Sequence, residues 1–406
     1  MISVAEALAR VLASASPPIE AETLAVGAAL GRTLASDVHA LRTQPPFANS
    51  AMDGYALRAA DTASTPARLR VIGESAAGRA FDGAVGANQA LRIFTGAPMP
   101  EGADAVLIQE NATRDGDILV VRGSEAPGHN VREAGIDFVE GELLLPEGRR
   151  LTPRDLALAA AANHPVVAVR RQPRVAVLAT GDELVPPGGA IGPAQIVASN
   201  NYTVAGIVAA CGGVSIDLGI AADEMGALAR SFRRAQEVEA DVLVTLGGAS
   251  VGDYDLVQRA LVDSGLALGF WRIAMRPGKP LMQGRLGAMR VLGLPGNPVS
   301  SCVCATLFLA PLLRALVGDP AAGADLGEPA VLGADLAAND IRQDYLRATL
   351  AREPGGALVA APLPSQDSSL VKFLARAQCL VVRAPHAPAA RRGDACRIIR
   401  LDGLGM

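Results

Sequence analysis

The spacing of apolar and polar positions changes along the chain, and each change marks a different kind of unit. Residues 1–40 carry apolar positions at helical spacing, with Glu6 and Arg10 inside the pattern and a break at Gly31, which predicts helices. Residues 42–140 turn to short β-like runs, Leu69–Ile72, Leu91–Thr95, Ala105–Glu110 and Ile118–Arg122, separated by Gly, Pro and Asp. That is the pattern of a small, mostly β unit. Helical spacing returns over 141–168, where Thr152 is a good N-cap and Pro153 a good first helical residue.

From residue 174 continuous apolar runs alternate with amphipathic stretches. Strands are expected at Arg174–Ala179, Val214–Ile220, Asp241–Leu246, Phe270–Met275 and Met289–Leu294. Helices are expected at Asn200–Cys211, Glu224–Ala235, Tyr254–Asp263 and Pro298–Val317. Strand–helix alternation with apolar strands means a mainly parallel sheet covered on both faces. After a linker at Gly318–Ala324, short runs at Val331–Leu336, Leu346–Leu350, Leu358–Ala361, Cys379–Arg383 and Ala395–Ile399 point to a small β-barrel-like terminal domain. The fold class expected is therefore multidomain α/β plus β. We divide it into a helical region (1–41 with 141–170), an inserted β-rich domain (42–140), an α/β domain (171–318) and a C-terminal barrel (325–406).

Composition narrows the function classes. A chain of 406 residues is too long for one ordinary core. Half of it is apolar and its formal net charge is -4. With no Lys/Arg run, no nucleic-acid partner is expected. The apolar stretch Val303–Leu313 is too short to span a bilayer and the N-terminus reads as an amphipathic helix, so a cytoplasmic protein without membrane contact is expected. The cysteines (Cys211, Cys302, Cys304, Cys379, Cys396) form no C-x-x-C pair, and the scattered histidines form no zinc pattern.

Four Gly- and Pro-rich turns follow the apolar runs of the α/β domain, where an open parallel sheet gathers its ligands. In the first, Asp182 and Glu183 follow Thr180-Gly181. Adjacent carboxylates there suit Mg²⁺ beside substrate phosphates, or simply cap the next element. The second, Gly247-Gly248-Ala249-Ser250-Val251-Gly252, offers loop amides to phosphate, with Asp253 and Asp255 just beyond. It lacks the Lys-Ser or Lys-Thr of a Walker A loop, and Gly-rich turns are common. The third carries Arg272, Arg276 and Lys279, suited to an oxyanion or to the surface. In the fourth, Asn297 can cap a helix that starts at Pro298, exposing amides near Val299 and Ser300 beside Pro295, or be no more than a well-capped helix. Together the four describe a pocket for a metal-bound, multiply anionic small molecule.

Two further segments, Asn49–Ala56 with Asp53 and Arg92–Pro100 with Thr95, complete a set that resembles the molybdopterin molybdenumtransferases, the family of MoeA and the gephyrin E domain. The resemblance follows the family's order over nearly the whole chain. It implies an elongated homodimer whose cleft lies between the third domain of one subunit and the second domain of its partner. It also implies a reaction in which adenylylated molybdopterin and molybdate are substrates, Mg²⁺ is the cofactor and AMP leaves. The receiving dithiolene sulfurs belong to the substrate, consistent with pocket loops free of Cys.

By resemblance, Asp53, Asp137, Asp182, Glu183, Asp223 and Asp255 are the catalytic acids, with Asp182, Glu183 and Asp255 the metal candidates. Thr95, Gly247, Gly248, Ser250, Gly252, Arg272, Arg276, Lys279, Pro295, Asn297, Pro298, Ser300 and Ser365 would contact substrate, with Ser369 near the pterin end. Relatives often show Lys where Arg272 and Arg276 stand, an Asp at Ala48, a small residue at Leu246 and a Gly at Pro364. A molybdopterin adenylyltransferase and recipient molybdoenzymes are the implied partners. The competing readings are an enzyme that adenylylates molybdopterin with ATP, and a non-catalytic scaffold.

Overall fold

A computed structural model of the chain describes residues 1–248 and 256–402. Its centre is a six-stranded sheet in the spatial order Val214–Ala221, Arg174–Thr180, Val242–Leu246, Met289–Leu294, Met282–Leu286, Ala267–Trp271. The first four strands are parallel and the last two join antiparallel. Alternate residues of Arg174–Thr180 serve two cores. Val175 and Val177 pack with Val204, Ile207, Val303 and Phe308 on one face, while Ala176 and Leu178 pack with Leu228, Phe232, Val257 and Leu261 on the other. Burial on both faces is why the strand reads as one apolar run.

The sheet corrects two sequence expectations. Met282–Leu286 was not anticipated as a strand; it pairs with Met289–Leu294 across a tight turn at Gly287, whose φ is 63°. The run expected as one strand over Phe270–Met275 is divided, and Arg272 at the division has φ 77°. Its first part, Ala267–Trp271, stays in this sheet, and Met275–Arg276 instead pairs with Gln343–Asp344 of the C-terminal domain.

The long apolar helix is three joined pieces: Pro298–Cys304, a wider π segment Ala305–Leu309, and Ala310–Leu316. The wide segment stands just ahead of Pro311, which has no amide hydrogen for the i→i−4 ladder. Among the described residues Pro298–Leu316 is the one helix long and apolar enough to cross a membrane, and 89% of its window is buried inside the protein, so it is a core helix. Helix Val4–Ala13, capped by Ser3 Oγ accepting from the Glu6 amide at 3.1 Å, lays Ala7 and Val11 into the same core.

Helix does not continue through residues 1–40 or 141–168 as expected. Beyond Ala13, Ala21–Ala25 is a strand paired antiparallel with Val166–Arg170, and Val38–His39 pairs with Leu143–Leu145. Only Pro153–Ala161 is helical in the second stretch, closed by a capping box between Thr152 and Asp155. Short Leu-, Val- and Ala-rich runs fit either period, and partners more than a hundred residues away settle them as strands. One cluster joins both stretches through Val26, Leu34, Leu145, Leu151, Ala159 and Val169.

The four β-like runs between 42 and 140 all lie on a second six-stranded sheet, ordered Ala105–Ile108, Gly54–Leu57, Gln89–Ile93, Ala67–Ser75, Ile118–Val121, Ala112–Asp115. In the C-terminal domain Gln343–Arg352, Leu358–Pro362, Gly327–Leu332, Ala395–Arg400 and Cys379–Arg383 pair in turn, and the last returns to Gln343–Arg352. The ring closes into a barrel, which leaves no open edge between these strands.

Candidate active site

The parallel strands end at one cavity of about 860 Å³. Thr180, Gly181 and Glu183 enter it from the first turn, Gly247 and Gly248 from the second, Pro280 from the third, and Pro295, Asn297, Pro298 and Ser300 from the fourth. Asp223 reaches it from the end of Val214–Ala221, and Ser369 from the barrel. Segments far apart in the chain converge because parallel connections return every strand in the same direction.

Glycine is required where these turns crowd. Gly181 has φ 140°, which favours glycine, and the Glu183 carboxylate folds back over the turn, 2.3 Å from where a Cβ would stand. Gly248 has φ 63°, and a Cβ there would lie 2.0 Å from Val257 Cγ2. Asp182 Oδ1 accepts the Asp223 amide at 3.1 Å. The Asp223 carboxyl is pushed above its ordinary range, first by partial desolvation among the loops and then by the negative charges of Asp182 and Glu183. These three acids therefore form one mutually repelling group. Among the described residues no group of three His, Cys, Asp or Glu side chains is already arranged around a metal position. Asp255, Ser250 and Gly252 lie outside the described residues.

The fourth turn differs from its expected form. Asn297 makes no side-chain capping bond to the helix that starts at Pro298. Its Nδ2 donates instead to Ser368 Oγ at 3.0 Å, and the Val299 amide donates to the Ser368 carbonyl at 3.0 Å. One of the amides expected to meet an anion thus fastens the barrel to the sheet domain. Asn200 Nδ2 donates to the Gly296 carbonyl at 2.6 Å and ties a second helix start to this turn.

The basic residues are spread out. Arg272 lies over the Trp271 ring, 4.2 Å from its centroid. Arg276 faces the barrel, paired with Asp344 and, at 3.5 Å, with Asp340. Neither arginine lines the cavity; nor does Lys279, although its neighbour Pro280 does. Ser365 is likewise off the wall, its carbonyl accepting from Arg347 Nη2 at 3.4 Å. Arg347 is only 1% exposed, and its Nη1 has no partner among the described residues.

Asp53 and Thr95 form a separate constellation on the inserted domain. Asp53 Oδ1 accepts both the amide and the hydroxyl of Thr95 at 2.8 Å, and these two bonds, with a smaller contribution from Arg92, hold the carboxyl below its ordinary range. Asp137 is exposed, with its amide donating to the Gln44 carbonyl at 3.1 Å. None of the three lines the cavity of its own chain.

Sequence reasoning missed Asn200, Asn201 and Arg347. The signal for the first two was legible: Ser199-Asn200-Asn201 is a polar trio opening an apolar helix behind a turn, the usual dress of a helix N-terminus. Nothing in the local pattern marked Arg347, which stands in a barrel strand.

Known families match the chain in three consecutive stretches: the MoeA N-terminal region (domain I and II) over residues 2–163, a probable molybdopterin binding domain over 176–315, and the MoeA C-terminal region (domain IV) over 329–401. The molybdopterin molybdenumtransferase of Haemophilus influenzae is 34% identical over 94% of both chains.

The chain belongs to the molybdopterin molybdenumtransferase family.

That of Bacillus subtilis is 34% identical, covering 92% of this chain and 87% of its own length. Two solved structures of the molybdopterin biosynthesis MoeA protein from Pyrococcus horikoshii share the fold, with TM-scores of 0.84 and 0.82 at 31% and 27% identity. Each covers 98% of this chain and 99% of its own. Membership in this molybdenum-transferring family accounts for the order of the four units, because the matched regions run through the helical and inserted parts, the sheet and the barrel in turn.

Proposed function

We propose that this chain is a cytoplasmic, Mg²⁺-dependent molybdopterin molybdenumtransferase. It takes adenylylated molybdopterin and molybdate, cleaves the pyrophosphate linkage, releases AMP and leaves molybdenum on the dithiolene sulfurs of the substrate. The observation that carries the reading is the single cavity into which four strand-end turns, Asp223 and the barrel's Ser369 converge. A volume of about 860 Å³ suits a pterin–nucleotide substrate.

The acid group of Asp182, Glu183 and Asp223 fits a divalent cation, because a dication relieves the repulsion that raises the Asp223 carboxyl. Asp182 and Glu183 would hold it, and it would supply charge neutralisation for the pyrophosphate oxygens. The protein's own share is positioning. Gly247 and Gly248 let the backbone approach the substrate closely, and Pro295 and Pro298 stiffen the wall. Arg347, buried in the barrel, steadies the loop that carries Ser369 by donating Nη2 to the Ser365 carbonyl at 3.4 Å.

The cavity is completed by a second copy of the chain, which brings Asp53, Thr95 and Asp137. Apolar side chains exposed near those residues (Phe47, Met52, Ile136, Val139) and others at the cavity rim (Ile196, Val197) support this arrangement, since such surfaces are costly to leave in water. The adenylyltransferase that makes the substrate and the molybdoenzymes that receive the product are the expected partners.

The test is AMP release from adenylylated molybdopterin, expected only when molybdate and Mg²⁺ are both present; pyrophosphate production from ATP instead would overturn the reading. Site sharing has its own assay. Asp53→Asn and Asp182→Ala are each expected to be inactive alone. Mixed dimers place both changes in one site and neither in the other, so random mixing should restore about a quarter of wild-type activity. No recovery in verified mixed dimers would sink the shared site.

A further inference from the structure

We propose that Arg92 is a positioning residue for this reaction, gripping the Asp53–Gly54 turn so that the Asp53 carboxylate is presented in one orientation. The proposal rests on the reading above, in which Asp53 completes the cavity of a neighbouring protomer.

Arg92 lies in strand Gln89–Ile93, directly opposite Tyr55. Its Nη1 donates to the Gly54 carbonyl at 3.0 Å and its Nη2 to Gln109 Oε1 at 2.6 Å. The guanidinium lies over two rings, 5.2 Å from the Tyr55 centroid and 4.8 Å from that of Phe94. A planar fork held by two acceptors and two rings has little freedom left.

What it grips is the Gly54–Tyr55 peptide, one residue beyond Asp53. The carbonyl of Asp53 itself accepts the Gln109 amide at 3.1 Å, so Gln109 is bonded both to Arg92 and to the turn. Gly54 lies close against the neighbouring strand, where an added Cβ would stand 2.0 Å from the Leu107 carbonyl oxygen. Thr95, three positions beyond Arg92, holds the carboxylate through two bonds. One strand end thus fixes both the backbone and the side chain of Asp53. A sheet-stabilising arginine would need none of this convergence.

The charged groups around the cluster are Glu74, which stands opposite Arg92 in the register of the adjacent strand, and Glu110, which accepts from Gln109 Nε2 at 3.4 Å. The charge acting on Asp53 among the described residues is that of Arg92.

The experiment compares Arg92→Gln and Arg92→Lys in the full chain. Gln can still donate to the Gly54 carbonyl but carries no charge; Lys keeps the charge and loses the fork. The Asp53 carboxyl is titrated by carbon NMR, assigned by its loss in Asp53→Asn, and turnover is followed by AMP release across pH. In Arg92→Gln the Asp53 midpoint is expected to rise only slightly, because the two Thr95 bonds that do most to lower it remain, and the acid limb of the rate profile to move with it by the same small amount. The kcat should fall roughly tenfold while the KM for molybdate stays within about twofold. Arg92→Lys should keep the midpoint and still lose most of the kcat.

A lower thermal midpoint with the titration, the acid limb and kcat unmoved would reduce Arg92 to a packing residue and overturn the proposal. If Arg92→Gln does not fold, Gln109→Met removes one acceptor of the fork and leaves the charge. It should lower kcat severalfold, and an unchanged kcat overturns the proposal. Because the carboxyl titration needs no turnover, it still decides the hold of Arg92 on Asp53 if the wild-type chain releases no AMP, an outcome that refutes the parent reading alone.

Discussion

Substituting Gly248 by alanine strikes the cavity wall and the core behind it together. Gly248 has φ 63°, and an L residue there costs about 1–2 kcal/mol. The added Cβ would also lie 2.0 Å from Val257 Cγ2, where ordinary contact begins at 3.4 Å, so something must shift by about 1.4 Å. Val257 is 1% exposed and packed with Leu228, Phe232 and Leu261, so it has little room to give. Such overpacking costs about 1–3 kcal/mol. The two effects together should lower stability by roughly 2–5 kcal/mol, or displace the loop and lower turnover by one to two orders of magnitude. Urea denaturation and AMP release are measured for Gly248→Ala, Val257→Ala and the double variant. Val257→Ala alone should cost roughly 2 kcal/mol through its cavity. If the overlap is the cause, the double variant should be less damaged than the sum of the singles by about 1–3 kcal/mol, because removing the Val257 methyls makes room for the new Cβ. Strict additivity would refute the steric argument and leave only backbone strain.

Two further expectations follow from side-chain environments. Asp340 is held at about 2, below the ordinary aspartate value of 3.8, by hydrogen bonds from the Arg342 side chain and amide, with Arg276 adding charge. A depressed folded value means that its stabilising contribution is complete above 3.8 and disappears as pH falls toward 2. Arg342→Met should therefore move the midpoint of acid unfolding to higher pH, and an unmoved midpoint would show that this carboxylate does not contribute. Burial raises the thiols of Cys302 and Cys379 to about 11 and about 12 and that of Cys304 further still. In the native protein a thiol reagent should therefore label Cys211 and Cys396 first, and modification of Cys302 or Cys304 before denaturation would contradict their place in the core.

What the sequence determined by itself was what local physics can specify. Val175–Ala179 and Val291–Leu294 are unbroken apolar runs because both of their faces are buried, and that burial is visible without coordinates. Gly181, Gly247 and Gly248 announced turns at strand ends, and Thr152-Pro153 announced a helix start, since backbone conformation and capping are properties of a few neighbouring residues. The tertiary structure decided the rest through partners remote in the chain. Ala21–Ala25 and Val166–Arg170 are strands because each supplies the other's hydrogen bonds, not because their sequences exclude helix. Asn297 passed over its own helix for Ser368, and Arg276 turned to Asp344, because the barrel docks where it does. Arg347 became a buried side chain, its Nη1 without a partner among the described residues, only once the barrel had closed around it. Short-range spacing fixes which conformations a segment can take, and long-range contact fixes which polar groups still have a bond left to offer.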